Sequence, residues 1–224
     1  MSVLATVHLV RHGEVFNPDR VLYGRLPGFG LSELGLQMAD GVAEWFLHRA
    51  NRLQRQPAIV AASPLQRAQQ TAAPIAAAFG KKLETEPNLI EAENDFEGMS
   101  NVAATLKSTP SLWPKLRNPA RPTWGEPYLQ QVQRMVEVVQ RSRDVAVDTL
   151  GPGAEAILVS HQLPIWVTRL ATEGRPLMHD PRRRECTLTS VTSLVFEQGR
   201  ERPRVEYHEP NAHLLAQAAN LPGA

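Results

Sequence analysis

Only one cysteine, Cys186, occurs in the 224 residues. A lone thiol cannot close an internal disulfide, so the fold must hold by its core, and a chain of this length can bury one. Net charge is also nearly absent, at +1. That excludes a global field suited to nucleic acid or an acidic membrane surface, and leaves any basic function to local groups, which are mostly arginine. No apolar run is long enough to span a membrane, and "MSVLATVHLVRHGE" lacks the basic start of a signal peptide. Repeats and low-complexity tracts are missing too. These absences predict a soluble, cytoplasmic protein with one main domain, residues 1–210, and a C-terminal tail, residues 211–224.

What is present alternates between two periods. "TVHLV", "AIVAAS" and "AILVSH" are short apolar runs of buried-strand character. Helical stretches follow them. Ser32 is a predicted N-cap for a helix with Leu34, Met38, Val42, Trp45 and Phe46 on one face. "PLQRAQQTAAPIAAAFG" predicts a second helix with Pro64 in its first turn and a bend at Pro74. Residues 128–150 predict a third, striped by Leu129, Val132, Met135, Val136, Val139 and Leu150. "TLTSVTSLVFE" and "RPRVEYHE" read as a strand pair around Gln198-Gly199-Arg200. The implied fold class is α/β: a three-layer sandwich with a mostly parallel central sheet and helices on both faces. "STPSLWPKLRNPARPTWGEP" has neither period and predicts an irregular excursion, either a lid or a packed surface loop.

Chemistry gathers at strand ends. Arg11 and His12 close the first strand, Arg67 opens the helix after the second, and His161 ends "ILVSH". The carboxyl ends of parallel strands share one edge, where ligands bind. Two guanidinium forks suit phosphate oxygens, and a neutral imidazole is a nucleophile, so the set has the parts for phosphoryl transfer through a phosphohistidine. The acid for the leaving oxygen must come from Glu91, Glu93, Asp95 or Glu97 in "LIEAENDFEG". His8 and His12 share a strand face, but no Cys/His or Asp-rich cluster completes a metal site, and no metal or cofactor is expected.

"LVRHGE" with Asn17, "LSELGLQMA", "SPLQRAQQTA", "LIEAENDFEG" and "VSHQLPI" resemble, in order, the histidine phosphatase superfamily in its phosphoglycerate-mutase-like branch. The resemblance implies that His12 is the phosphorylated nucleophile and that Arg11, Arg67 and His161 hold the phosphoryl oxygens. It implies further that Asn17 assists them and that Glu91 is the proton donor. Gly13 is expected to let the backbone approach the phosphate. Departures disfavour a mutase: Val15 stands where mutases carry Ser or Thr, Gly24-Arg25 replaces a Gly-Trp pair, and a long insertion with a Pro-Pro-Pro run is missing. Gly125-Glu126 with downstream Arg134 resembles the phosphatase members, although Pro127 replaces a Ser. Gln162 stands where a Gly is common and either narrows the pocket or points away.

The expected activity is therefore phosphomonoester hydrolysis, with a mutase-type phosphotransferase or a catalytically weak phosphate-ligand module as rivals. Substrate contacts are expected from Arg11, Asn17, Gly24, Arg67, His161 and Gln162. In "HDPRRREC", Arg182 to Arg184 read first as a solvated basic loop; the sharper alternative is that one or two of them, with Arg183 at the centre of the run, reach over the pocket to an additional anionic group of the substrate. For Asn17 the plainer alternative is turn initiation. The expected partner is a small phosphorylated metabolite or other phosphomonoester, with a homodimer left open and neither nucleic acid nor membrane involved.

Overall fold

The first apolar run becomes the centre of β1 (Val3–Arg11), in which the seven residues from Ala5 to Arg11 are all buried. Such burial on both faces explains why the run is continuous rather than alternating. The computed structural model describes residues 2–100, 102–116 and 124–219. In chain order β1 is followed by α1 (Glu33–Leu53), β2 (Pro57–Ala62), α2 (Gln66–Ala78), β3 (Leu83–Thr85), α3 (Val102–Ser108), α4 (Tyr128–Leu150), β4 (Ala154–Ser160), α5 (Gln162–Thr172), β5 (Val191–Glu197) and β6 (Arg204–His208). The sheet order is β3-β2-β4-β1-β5-β6. β1, β2, β3 and β4 run parallel, and β5 pairs antiparallel with both β1 and β6.

Alternate side chains of the central strands feed two cores. Val7, Leu9, Ala156 and Leu158 meet α4 and α5 through Met135, Val139 and Ile165. Val10, Ile157 and Val159 meet α1 and α2 through Val42, Phe46, Ala72 and Ile75. Helices thus cover both faces of the sheet, as the alternating pattern predicts. Ser32 caps α1 by accepting the Gly35 N–H. α2 begins two residues after Pro64, with Leu65 at its N-cap, and continues through Pro74 to Ala78.

α4 has the predicted extent but a rotated face. Leu129 and Leu150 are 66% and 50% exposed, whereas Gln131 and Ser142 are buried with Met135, Val138 and Val139. The excursion is more regular than its sequence, since α3 ends at its first residue, Ser108, and a 3-10 helix (Pro110–Leu116) occupies part of it. Residues 101 and 117–123 lie outside the described part, and with them a stretch of the lid question. In the segment set apart as a tail, Asn211 is buried against α1, its amide donating to Met38 O at 2.7 Å and to Thr189 Oγ1 at 2.8 Å. Further on, the Ala219 N–H donates to a Glu14 carboxylate oxygen. The segment is docked through 219, and residues 220–224 lie outside the described part. Among the described residues no helix is long and apolar enough to cross a membrane.

His8, a strand residue with no role in the predicted site, joins a buried ionic group. Its Nδ1 lies 2.8 Å from Ser193 Oγ and its Nε2 3.5 Å from Glu155, which Arg49 contacts at 2.9 Å. Burial alone would raise the Glu155 carboxyl, but hydrogen bonds and charge from His8 and Arg49 outweigh it and bring the pKa down to about 2. An unfolded glutamate takes its proton near 4.5. Unfolding in acid therefore binds a proton, so this contribution is complete above that ordinary value and is lost as pH falls toward about 2. We expect Glu155→Gln to cost about 3 kcal/mol, because it strands the Arg49 guanidinium. Urea unfolding at several pH values should show a shallower acid slope for the variant than for wild type; equal slopes would remove the ion pair from the stability balance.

Candidate active site

The carboxyl ends of β1 and β4 lie side by side, with Arg11 paired in register with Ser160. His12 continues from β1, its N–H donating to Ser160 O at 3.1 Å, and His161 continues from β4 into α5 as the N-cap. The two imidazole centroids are 5.2 Å apart. Arg67, in the first turn of α2, sits over the Tyr23 ring at 4.7 Å, and its Nη2 donates to Gly24 O at 2.7 Å. Arg11 Nη1 donates to Cys186 O at 2.7 Å. Strand adjacency thus brings together the four residues expected to handle the phosphoryl group, each no more than 1% exposed.

Their tautomers follow from their partners. His12 Nδ1 lies 2.8 Å from Gly13 O, a pure acceptor, so Nδ1 carries the proton and Nε2 keeps its lone pair. Burial, then the charges of Arg67 and Arg11, hold the imidazolium pKa well below 6.5, and the ring is neutral near pH 7. Among the described residues no group hydrogen-bonds His12 Nε2. His161 Nε2 meets Ser63 Oγ at 2.7 Å, and the Leu65 N–H already donates to that oxygen. With the Ser63 hydroxyl donating to Nε2, His161 Nδ1–H is a donor without a partner among the described residues. Arg67 Nε has no partner among the described residues either. Buried donors and a buried lone pair left over in one place suit a small anion that binds as it reacts.

Glu91 is delivered by a loop clamped on three sides. Ser160 Oγ donates to Leu89 O at 2.7 Å, Arg134 Nη1 to Asn88 O at 2.6 Å, and Arg25 Nε to Glu91 O at 2.8 Å. Arg134 also grips both oxygens of Glu126, at 2.7 and 2.9 Å, and Arg25 shares that carboxylate. Gly125 lets the chain pass here: a Cβ would fall 1.9 Å from Glu93 O. Burial raises the Glu91 pKa, against the Ala92 N–H and the charges of Arg67, Arg11 and Arg184. Glu91 lines a cavity of about 260 Å³ whose walls include Tyr23, Gly24, Trp124, Gln162 and Arg184. Tyr23 and Gly24, in the wall of this cavity, also touch the buried histidine and arginine cluster.

The structure gives three of the expected residues a place or a protein contact of their own. Asn17 closes a turn, donating to Val21 O at 2.8 Å and accepting from Val21 N–H at 3.1 Å. Arg183 is exposed and away from the cavity, because Asp180 caps the 3-10 turn Pro181–Arg183, and Arg184 is the arginine that lines it. Gly13 is needed for helix packing: a Cβ there would lie 2.6 Å from Gly35 O, where the first turn of α1 crosses it. Gln162 does line the cavity, with Oε1 accepting from Arg184 Nη1 at 3.1 Å.

Residue-by-residue reading missed Tyr23, Ser63, Thr71 and Gln131. Thr71 Oγ1 accepts the Gly13 N–H at 3.0 Å and donates to Arg67 O at 2.8 Å, tying the loop after β1 to α2. Ser63 and Thr71 stand in the "SPLQRAQQTA" block that located Arg67. Glu126 and Arg134 were visible as a phosphatase-like pair, but nothing in their spacing shows that they brace Glu91.

A family model described as histidine phosphatase superfamily (branch 1) matches residues 7–207. The uncharacterized protein Rv0525 of Mycobacterium tuberculosis (strain H37Rv) is 48% identical over 207 residues, covering 92% of this chain and 96% of that protein. Bacillus stearothermophilus YhfR shares the fold with a TM-score of 0.73 at 24% identity, over 94% of this chain and 99% of that one. Mycobacterial glucosyl-3-phosphoglycerate phosphatase Rv2419c does so with a TM-score of 0.71 at 23% identity, over 91% and 96%.

Proposed function

Because the chain belongs to the histidine phosphatase superfamily (branch 1), we propose that it is a phosphomonoester hydrolase working through a phosphohistidine on His12. The observation that carries this reading is the neutral Nε2 of His12, without a partner among the described residues and buried beside Arg11, Arg67 and His161. In the first step Nε2 attacks phosphorus, the P–O ester bond breaks, and protonated Glu91 gives its proton to the leaving oxygen. In the second, water attacks phospho-His12, Glu91 takes the water proton, and inorganic phosphate leaves. The two guanidinium groups and His161 Nδ1–H meet the charge that spreads over the phosphoryl oxygens. Substrates are small phosphorylated metabolites, and the setting is cytoplasmic.

Phosphate release from a panel of phosphorylated metabolites and p-nitrophenyl phosphate tests the activity. Turnover of at least one ester is expected. If 3-phosphoglycerate with catalytic bisphosphoglycerate instead gives 2-phosphoglycerate faster than free phosphate, the enzyme is a mutase. Fixed cationic side chains already supply the positive charge, so activity is expected to survive EDTA. Complete loss on chelation, restored by magnesium or zinc, would assign that charge to a metal.

A further inference from the structure

The cavity beside the phosphoryl cluster carries in its wall a further cationic group with no role in the two steps above. Arg184 lies on the loop between α5 and β5 and lines the cavity wall. It is held by two neutral acceptors: Nε donates to His179 Nε2 at 2.9 Å, and Nη1 donates to Gln162 Oε1 at 3.1 Å. His179 keeps that lone pair available because its Nδ1 lies 2.7 Å from Leu177 O and carries the proton. The orientation is built in layers, since Gln162 in turn reaches toward Cys186 O, the same carbonyl that receives Arg11.

No carboxylate lies within ion-pair distance of Arg184 among the described residues, and its Nη2 has no hydrogen-bond partner there. Nearby arginines differ. Arg25 and Arg134 share Glu126, Arg182 pairs with Asp180, and Arg169 pairs with Glu173 and Glu185. The acid that faces Arg184 is Glu91, which must be neutral at the moment it donates its proton. At that moment the cavity carries an uncompensated guanidinium with a planar edge of N–H groups still unspent. A partly buried guanidinium kept without an acid suits an anion brought by the ligand. A second leftover group lies in the same wall. Gln131 is fully buried, its Nε2 donates to Glu126 O at 2.8 Å, and its Oε1 has no partner.

We propose that Arg184 is a specificity-determining residue that binds a carboxylate on the leaving-group side of the substrate, with Gln131 Oε1 accepting a neighbouring hydroxyl. The inference rests on the phosphatase reading and deepens it: preferred substrates are phosphomonoesters whose alcohol portion carries a carboxylate. His179 and Gln162 are positioning residues, which aim the guanidinium without touching substrate.

The test uses matched esters that differ in the carboxylate: phosphoglycolate against 2-hydroxyethyl phosphate, and 3-phosphoglycerate against glycerol 3-phosphate. Wild type should favour the acid of at least one pair in kcat/KM. Arg184→Gln should lower that acid-to-alcohol ratio by about thirtyfold, the scale of a lost hydrogen-bonded charge contact. Arg184→Lys should recover part of it, and His179→Phe should lower it by a smaller factor with the loss in KM. Calorimetric binding of the same esters supplies the ratio without turnover and covers a variant that binds but does not react. Absence of hydrolysis for every ester, p-nitrophenyl phosphate included, defeats the phosphatase reading; the calorimetric ratio then still decides the subsite. An acid-to-alcohol ratio that Arg184→Gln leaves unchanged, or a wild type that prefers both alcohols, overturns the proposal while leaving the phosphatase reading intact. If Arg184→Gln does not fold, the ratio in His179→Phe decides in its place.

Discussion

His12→Ala is expected to lose at least about a thousandfold in kcat on any phosphomonoester that the wild type hydrolyses, the scale of removing one member of a catalytic unit. Its Nε2 is the one atom of the cluster with the valence to bond phosphorus, since the guanidinium groups and His161 Nδ1–H are donors. A water attacking directly would need a base at the place where Nε2 stands, and burial, with the charges of Arg67 and Arg11, depresses the His12 pKa and makes that imidazole a poor base. The Arg67 and Arg11 charges stabilise a transferred phosphoryl group. Rapid quench of wild type should therefore trap a phosphoenzyme that is labile to acid and stable to alkali, and His12→Ala should trap none. Comparable kcat in the variant sinks the covalent route.

The strand runs around His12 and His161 could be read from the sequence because burial on both faces leaves a continuous apolar signature, and a strand's end fixes where its last residues point. Helix α4 shows where that legibility stops. Its length is set by periodicity, but its buried face is decided by the cavity and the Glu126 brace, which take in Gln131 and leave Leu129 in solvent. Hydrophobic pattern cannot register a polar residue buried for its hydrogen bonds. The same holds one residue apart in the arginine run: only the Asp180 cap and the 3-10 turn decide that Arg184, not Arg183, turns inward. β3 escaped notice because three residues at a sheet edge carry almost no period. Gly13 illustrates a different limit, since a glycine demanded by a helix 22 residues later looks, along the chain, like one demanded by a ligand.

Glu91→Gln is expected to slow esters with poor alkyl leaving groups by about a hundredfold or more, within the usual range for general acid catalysis, and p-nitrophenyl phosphate far less, because nitrophenolate leaves without help. The role requires a protonated carboxyl near neutrality, where an exposed glutamate is ionised. Burial raises the Glu91 pKa in the direction required, and a bound phosphoryl dianion opposes a second negative charge and pushes it further the same way; Ala92 N–H, Arg67, Arg11 and Arg184 pull against both. Activity limited by the first step must then fall as pH rises through the pKa of the enzyme-substrate complex, and this alkaline limb should be missing from kcat of Glu91→Gln. Arg184→Gln removes one of the opposing charges, so its alkaline limb should move to higher pH. Glu93→Gln, Asp95→Asn and Glu97→Gln supply the comparison, since Glu93 and Asp95 are exposed and Glu97 accepts the Arg25 N–H. A leaving-group-dependent defect in one of those three, with none in Glu91→Gln, moves the acid to that residue.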